Sequence, residues 1–256
     1  DPRVGALYGP WKVIAHIGSG GLAEVYEVER DDDRYKQKAA LKIMRASILS
    51  DDLTKLFHRE RNVLASLDHH GLVRIIDGGE TATGSPWLVM EYVDGLAITE
   101  YCAKNGLPLA ARLALLADAA DALQAAHNRL VLHGDIKPEH VVVVEDGSIK
   151  LLDFGIAQLL DEDGVGDPAI AVSPAIASPE HRAGQVLTIS SDVFQLGLIL
   201  KQLIADYTLD ADHMAVAEMA TAADPAARYP SASQFGADLR NLNAGKAVLA
   251  APDNRS

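Results

Sequence analysis

The hydrophobic period of the chain changes near residues 91–95, and that change limits the folds open to it. Before it, short β-prone runs occupy residues 11–18, 23–30, 38–44, 72–76 and 87–92, separated by turn signals. One stretch in this part, residues 51–67, spaces Leu53, Leu56, Val63, Leu64 and Leu67 close to a helical period. After the change, residues 107–130 are rich in Ala and Leu and read as a helix. Residues 192–205, 210–222 and 231–242 also read as helices, the last opened by a serine cap. Apolar runs at 131–132, 141–144 and 149–152 read as short strands around a polar loop. The order predicts a strand-rich lobe over 11–91 behind an N-terminal extension, 1–10. A larger helical lobe follows over 92–244, and 245–256 reads as a frayed tail or linker.

Charge removes several partners. There are 36 acidic against 23 basic residues, a formal net charge of −13. Such a surface repels phosphate backbones and anionic bilayers, which argues against nucleic acid and against direct membrane binding. The single cysteine, Cys102, cannot form an internal disulfide or a cysteine-based zinc cluster, and a reducing, cytoplasmic setting fits it. No apolar run reaches the roughly 18 residues of a membrane span. The start at Asp1 without a leader pattern reads as an excised domain, and leaves a membrane tether elsewhere in a parent chain open.

The chemistry-bearing residues come in sequence blocks. Gly18-Ser19-Gly20-Gly21 lies between two predicted strands, where glycines let backbone N–H groups approach phosphate oxygens. No Gly-Lys-Ser/Thr follows, so this is not a Walker A loop. A strand follows and not a helix, so it is not a dinucleotide fingerprint. Alone, such a hairpin is most often just a turn. Lys42, in Ala39-Ala40-Leu41-Lys42-Ile43, alternates with apolar neighbours and so points away from the core that Leu41 and Ile43 enter. Further on, the block from His133 to His140 contains Asp135 and Lys137 and runs into an apolar strand. Leu151-Leu152-Asp153-Phe154-Gly155 closes the next strand. Two aspartates, each beside a short apolar strand, form a specific pair.

These blocks resemble the eukaryotic-like (bacterial-type, Hanks-type) serine/threonine protein kinase family, and the resemblance covers nearly the whole chain. It implies an α+β, two-lobed fold, with a small antiparallel-sheet N-lobe holding one helix and a larger, mostly helical C-lobe. It also implies ATP as cofactor with Mg²⁺ (Mn²⁺ as a second option), and a protein substrate that the sequence does not identify. Ile17, Gly18, Ser19, Gly20, Gly21 and Val25 would form the loop over the phosphates. Lys42 would contact the α and β phosphates, with Glu60 as its ion-pair partner. Residues 87–95 would be the hinge, with Met90 gating the pocket and the backbone of Glu91 and Val93 meeting the adenine edge. Ile17, Val25, Ala40 and Val142 would sandwich the purine. Asp135 would orient the substrate hydroxyl, Lys137 would steady the γ-phosphate, and Asp153 would carry the metal ion. Ser178-Pro179-Glu180 matches the end of the family's activation segment, residues 192–197 its central helix, and Arg228 the partner of Glu180. Leu64, Ile75, His133 and Phe154 would stack as a spine anchored near Asp192. The His-Gly-Asp start also resembles aminoglycoside phosphotransferases, which share the fold and lack the later motifs.

Departures from the family pattern are as informative. Ala23 stands for the third glycine. Gly134 stands where an arginine usually receives an activation-segment phosphate. Residues 156–172 contain no Ser, Thr or Tyr, and Asp161, Glu162, Asp163 and Asp167 put permanent negative charge there. The nearest hydroxyl, Ser173, matches a structural threonine of the family. His140 stands where an asparagine is expected to bind metal, and imidazole suits transition metals better than Mg²⁺. Residues 207–222 hold one helix at most, so the docking helix of the large lobe is trimmed. These departures favour a second reading, a pseudokinase acting as a nucleotide-binding scaffold. Intact Lys42, Glu60, Asp135, Lys137 and Asp153 oppose it. If the receptor arginine and the phosphoacceptor are both missing, phosphopeptide mapping of the active protein finds no activating site in residues 156–172. A major site there overturns the expectation.

Overall fold

The computed structural model describes residues 1–20, 23–32, 36–45, 65, 67–154 and 176–250. Gly21, most of the expected 51–67 helix with Glu60 and Leu64, Gly155, the 156–172 segment, Ser173 and residues 251–256 lie outside the described residues. Contacts divide the chain into two units. The first is Asp1–Asp68 with Val73–Val93, and the second holds His69–Leu72 and the described residues from Asp94 on.

In the first unit, period-two sequence makes an antiparallel six-stranded sheet in the order β1-β2-β3-β4-β6-β5. Its strands are β1 (Leu7–Tyr8), β2 (Trp11–Ser19), β3 (Ala23–Arg30), β4 (Lys38–Met44), β5 (Ile75–Glu80) and β6 (Pro86–Glu91). Alternation sends Trp11, Val13, Tyr26, Val28, Ala39, Leu41, Ile43, Trp87 and Val89 into one core cluster. Their neighbours along each strand therefore face the other side. The Trp11 indole N–H donates to Asp77 at 2.9 Å, which ties β2 to β5. The strand expected over 72–76 instead runs Ile75–Glu80. Its centre, Gly78-Gly79, has no side chains to show a period; a Cβ on Gly79 would stand 2.6 Å from the Trp87 ring.

The second unit opens with β7 (Gly95–Ala97), α1 (Ile98–Lys104) and α2 (Leu109–His127). A 3₁₀ turn at Pro138–His140 leads into β8 (Val141–Val144) and β9 (Ile149–Leu151). Then come α3 (Pro179–Arg182), α4 (Ile189–Ile204), α5 (Ala211–Ala220), a 3₁₀ turn at Pro225–Ala227, and α6 (Ala232–Asn243). β7, β8 and β9 form a small antiparallel sheet. The Leu151 amide donates to the Gly71 carbonyl at 2.8 Å, which draws residues 69–72 into this unit. The Ala/Leu-rich α2 packs against α6 and α4. α4 starts at a capping box of Thr188 and Ser191, earlier than the expected 192. Ser231 caps α6, accepting from the Gln234 amide at 3.2 Å. α5 is the one α-helix between α4 and the Pro225 turn, which leaves the docking-helix region short.

Several local expectations fail for physical reasons. Residues 131–132 form no strand: Leu130 takes φ 60°, and the Val131 amide donates back to the Ala126 carbonyl at the end of α2. α1 has no side-chain cap and is seven residues long, which gives a sequence little to show. The tail from 245 is not frayed as far as 250. Leu249 and Ala250 donate their amides to Asp238 at 2.8 and 3.1 Å, and Val248 is buried. Among the described residues, no helix is long and apolar enough to cross a membrane.

Gly197, inside α4, lets α5 approach closely: a Cβ there would lie 2.7 Å from the Thr221 methyl and 2.8 Å from the Ala220 Cβ. Gly197→Ala is expected to destabilise the fold by about 1–3 kcal/mol through overpacking. Urea unfolding checks this, and an unchanged midpoint refutes the close packing.

Candidate active site

In the first unit, strand register gathers much of the expected nucleotide set. Val25 stands opposite Lys42, Lys42 opposite Leu88, and Ala40 opposite Met90. Directly opposed residues share a sheet face, and this is the face turned away from the Trp11–Val89 core. Gly18 pairs with Val25, and the Gly20 amide donates to the Ala23 carbonyl at 2.9 Å to close the turn. Ser19 Oγ meets His16 Nε2 at 2.9 Å, and Ile17 is exposed. Glu91 ends β6, accepts from the Arg74 amide at 2.9 Å and returns its own amide to the Arg74 carbonyl. Val93 follows at the end of this unit. Gly21 and Glu60 lie outside the described residues.

In the second unit, a buried carboxylate organises the expected catalytic loop. Asp192 has no exposed surface. Its Oδ2 accepts from His127 Nε2 at 2.8 Å and from the His133 amide at 2.9 Å; its Oδ1 accepts from the Gly134 amide at 2.8 Å. One turn on, Gln195 accepts from the Ile136 amide at 2.8 Å and donates to the Gly134 carbonyl at 2.9 Å. Gly134 has φ 78°, so glycine is at ease where a side chain would strain the backbone. Neither His127 nor Gln195 was among the residues the sequence singled out. The signal they left was polarity among apolar helix neighbours.

The loop in turn sets the protonation of His133. His133 Nε2 donates to the Leu152 carbonyl at 2.8 Å, and its Nδ1 faces the Asp135 amide at 3.3 Å. Burial, with the neighbouring His140, pulls the His133 pKa down to about 4, so this imidazole is neutral near pH 7. Its ring centroid lies 4.7 Å from that of Phe154, which brings together two members of the expected spine. Asp135 keeps Oδ2 3.4 Å from Lys137 Nζ, while its Oδ1 is buried without a hydrogen-bond partner. Burial raises the Asp135 pKa, and the Lys137 charge opposes that rise. His140 Nδ1 lies 2.7 Å from the Asp135 carbonyl, and its Nε2 3.5 Å from Asp153 Oδ2. The Leu152 amide donates to the His140 carbonyl at 2.8 Å, so the two aspartate segments are stitched together. Asp153 adopts φ 63°, a left-handed backbone unusual for any residue but glycine. Val142 sits on β8, almost fully buried. No group of three or more His, Cys, Asp or Glu among the described residues could hold a metal ion by itself.

Glu180 and Arg228 meet as the sequence anticipates. Two parallel bonds of 2.8 Å join them, and Ser191 Oγ donates to Glu180 at 2.7 Å. Arg228 also reaches the carbonyls of Ser190 and Ala222 at 2.9 and 2.7 Å. Burial alone would raise the Glu180 pKa, but Arg228 and Ser191 outweigh it and hold the carboxyl at about 2.

The protein kinase domain family matches residues 11–241. The serine/threonine-protein kinase PknB of Mycolicibacterium smegmatis is 32% identical, covering 90% of this chain and 42% of that protein. The serine/threonine-protein kinase PrkC of Bacillus subtilis is 35% identical over 77% of this chain and 31% of its own length. The chain thus spans less than half of these curated relatives. The crystal structure of the Mycobacterium tuberculosis PknI kinase domain superposes with a TM-score of 0.73 at 27% identity, covering 94% of this chain and 98% of that one.

The Glu180–Arg228 pair gives the acid limb of stability. Its carboxylate titrates near 2 when folded against 4.5 ordinarily, so its stabilisation is complete above about pH 5 and fades as pH falls toward 2. Glu180→Gln is expected to flatten the loss of urea midpoint between pH 5 and pH 3. Arg228→Met, which strands a buried carboxylate, is expected to cost about 3–5 kcal/mol at pH 7. A midpoint insensitive to both changes overturns the assignment.

Proposed function

The chain belongs to the protein kinase family, and from that premise we propose that it transfers the γ-phosphoryl group of ATP to serine or threonine hydroxyls of a protein. The observation that carries this is the state of Asp135. One carboxylate oxygen is steadied by Lys137 at 3.4 Å, and the other is buried without a partner. A buried acceptor left unmade costs stability, and a substrate hydroxyl would supply the missing donor. Asp135 Oδ1 would align that hydroxyl and draw its proton as the oxygen attacks. Lys137 would offset charge on the γ-phosphate. Within the first unit, the backbone of Gly18, Ser19 and Gly20 would receive phosphate oxygens, and Lys42 would hold the α and β phosphates with Glu60. Val25, Ala40, Met90 and Ile17 would border the adenine, and the backbone of Glu91 and Val93 would meet its edge. Residues 11–91 and 92–244 would be the two lobes.

A divalent ion fits the residues present. Asp153 offers a carboxylate, His140 directs a ring nitrogen toward it, and phosphate oxygens would complete the sphere. Such an ion, Mg²⁺ or Mn²⁺, neutralises phosphate charge when bound. Gly134 supplies no side chain to receive an activation-segment phosphate, which supports activity independent of phosphorylation there.

Transfer of labelled phosphate from ATP to a generic Ser/Thr-rich protein tests the reading. Asp135→Asn and Lys42→Met are each expected to lower transfer by about 10²-fold or more. Transfer that survives in both variants marks contamination. Nucleotide binding without transfer in the parent protein marks the pseudokinase instead.

A further inference from the structure

We propose that the second unit carries a small-molecule site apart from Asp135 and Lys137, built to take a neutral, largely apolar molecule that presents one O–H or N–H donor. All of its residues belong to the second unit, and it does not depend on the kinase reading.

A cavity of about 490 Å³ opens between the end of α2, the start of α4 and the 3₁₀ turn at Pro225–Ala227. That volume falls in the range of small-molecule sites, roughly 300–1,000 Å³. Leu130, Leu132, Ile189, Pro225, Ala226 and Pro230 supply apolar walls. Of the other lining residues, Thr188 is exposed, whereas Tyr229 and His127 are buried. The cavity therefore runs inward from the surface.

Most polar groups that border it are already engaged. Arg228 directs its five N–H groups at Glu180 and at the carbonyls of Ser190, Ala222 and Ala223. The Tyr229 hydroxyl donates to Asp238 at 2.7 Å, and the Thr188 and Ser190 hydroxyls meet each other at 2.9 Å. Among the described residues no Asp or Glu lines the cavity, so an ionic ligand of either sign finds no free counter-charge. What remains is His127 Nδ1, buried without a hydrogen-bond partner. His127 Nε2 donates to the Asp192 carboxylate at 2.8 Å, which leaves the lone pair of the neutral ring at Nδ1. A buried acceptor left unmade costs stability, and a donor on the ligand supplies the missing bond.

The mouth of the cavity carries a second sign. Leu130 is 93% exposed and takes φ 60°. A left-handed backbone strains a leucine, and a side chain standing in water gains nothing from burial. Two backbone bonds hold the turn, from the Leu130 amide to the His127 carbonyl at 2.9 Å and from the Val131 amide to the Ala126 carbonyl at 3.1 Å. Glycine would keep both without the strain. The Leu130 side chain thus contributes little to the fold, and it stands where it can close over an occupant.

Indole and N-methylindole test the site on the whole chain, in titrations followed by ¹H–¹⁵N spectra. Indole is expected to shift the amide signals of Leu130, Thr188 and Ala226, and to move the His127 Nδ1 resonance as that nitrogen gains a hydrogen bond. N-methylindole is larger and more apolar but has no donor, and is expected to bind about tenfold more weakly. Apolar contact alone predicts the opposite order. Leu130→Gly is expected to weaken indole binding about tenfold while its urea midpoint holds or rises. Amides that stay still at millimolar indole overturn the site, and so does a methylated probe that binds as well as indole. A Leu130→Gly protein that binds indole unchanged, or unfolds at lower urea, overturns the part given to Leu130.

Discussion

A carboxylate with no exposed surface is an expensive thing to bury, and Asp192 is tolerable only because donors surround it. His127, the His133 amide and the Gly134 amide meet its two oxygens at 2.8–2.9 Å. The same three bonds fix the direction in which the chain leaves His133, and with it the place of Asp135. The second buried carboxylate, Glu180, is satisfied at the same end of the same helix, through Ser191 and through Arg228, which also bonds the Ser190 carbonyl. The first turns of α4 therefore carry both networks. Thr188 caps this helix, Ser190 and Ser191 serve the ion pair, and Asp192 and Gln195 serve the loop. The buried N-terminal half of this helix acts as the post on which two loops are hung.

The loop it holds is polarised by position. His133 is kept neutral by burial, so it adds no positive charge beside Asp135. Lys137 is left as the cation 3.4 Å from Asp135. A glycine at 134 removes what an arginine would have added, and its φ of 78° removes a backbone strain at the same time. Charge and conformation thus point to a loop that assembles from its own neighbours.

How far the sequence foretold this depends on the range of the interaction. The common face of Val25, Ala40, Lys42 and Met90 follows from alternation along strands, a property of adjacent residues. The pairing of Glu180 with Arg228 was reachable because both sit in motif-bearing segments. Gln195 and His127 were not reachable, since their roles depend on which backbone groups arrive from distant segments. The β5 shift and the missing 131–132 strand share a cause of another kind. Gly78-Gly79 has no pattern to read, and Leu130 turns the chain with a backbone angle that its side chain does not advertise. The docked residues 248–250 were missed because the partner, Asp238, spends its oxygens on backbone amides that any residue could offer.

Asp153 holds a left-handed backbone angle, φ 63°. For a residue other than glycine that conformation costs on the order of 1–3 kcal/mol, and persists only where surroundings over-determine it. Two contacts do so here: the Leu152 amide on the His140 carbonyl before it, and the Phe154 ring against His133 after it. The place of the carboxylate is therefore set by its flanks, which hold the backbone in its strained angle. Changes at Phe154 or His133, neither of which carries the carboxylate, would then be felt as a relaxation of the Asp153 backbone.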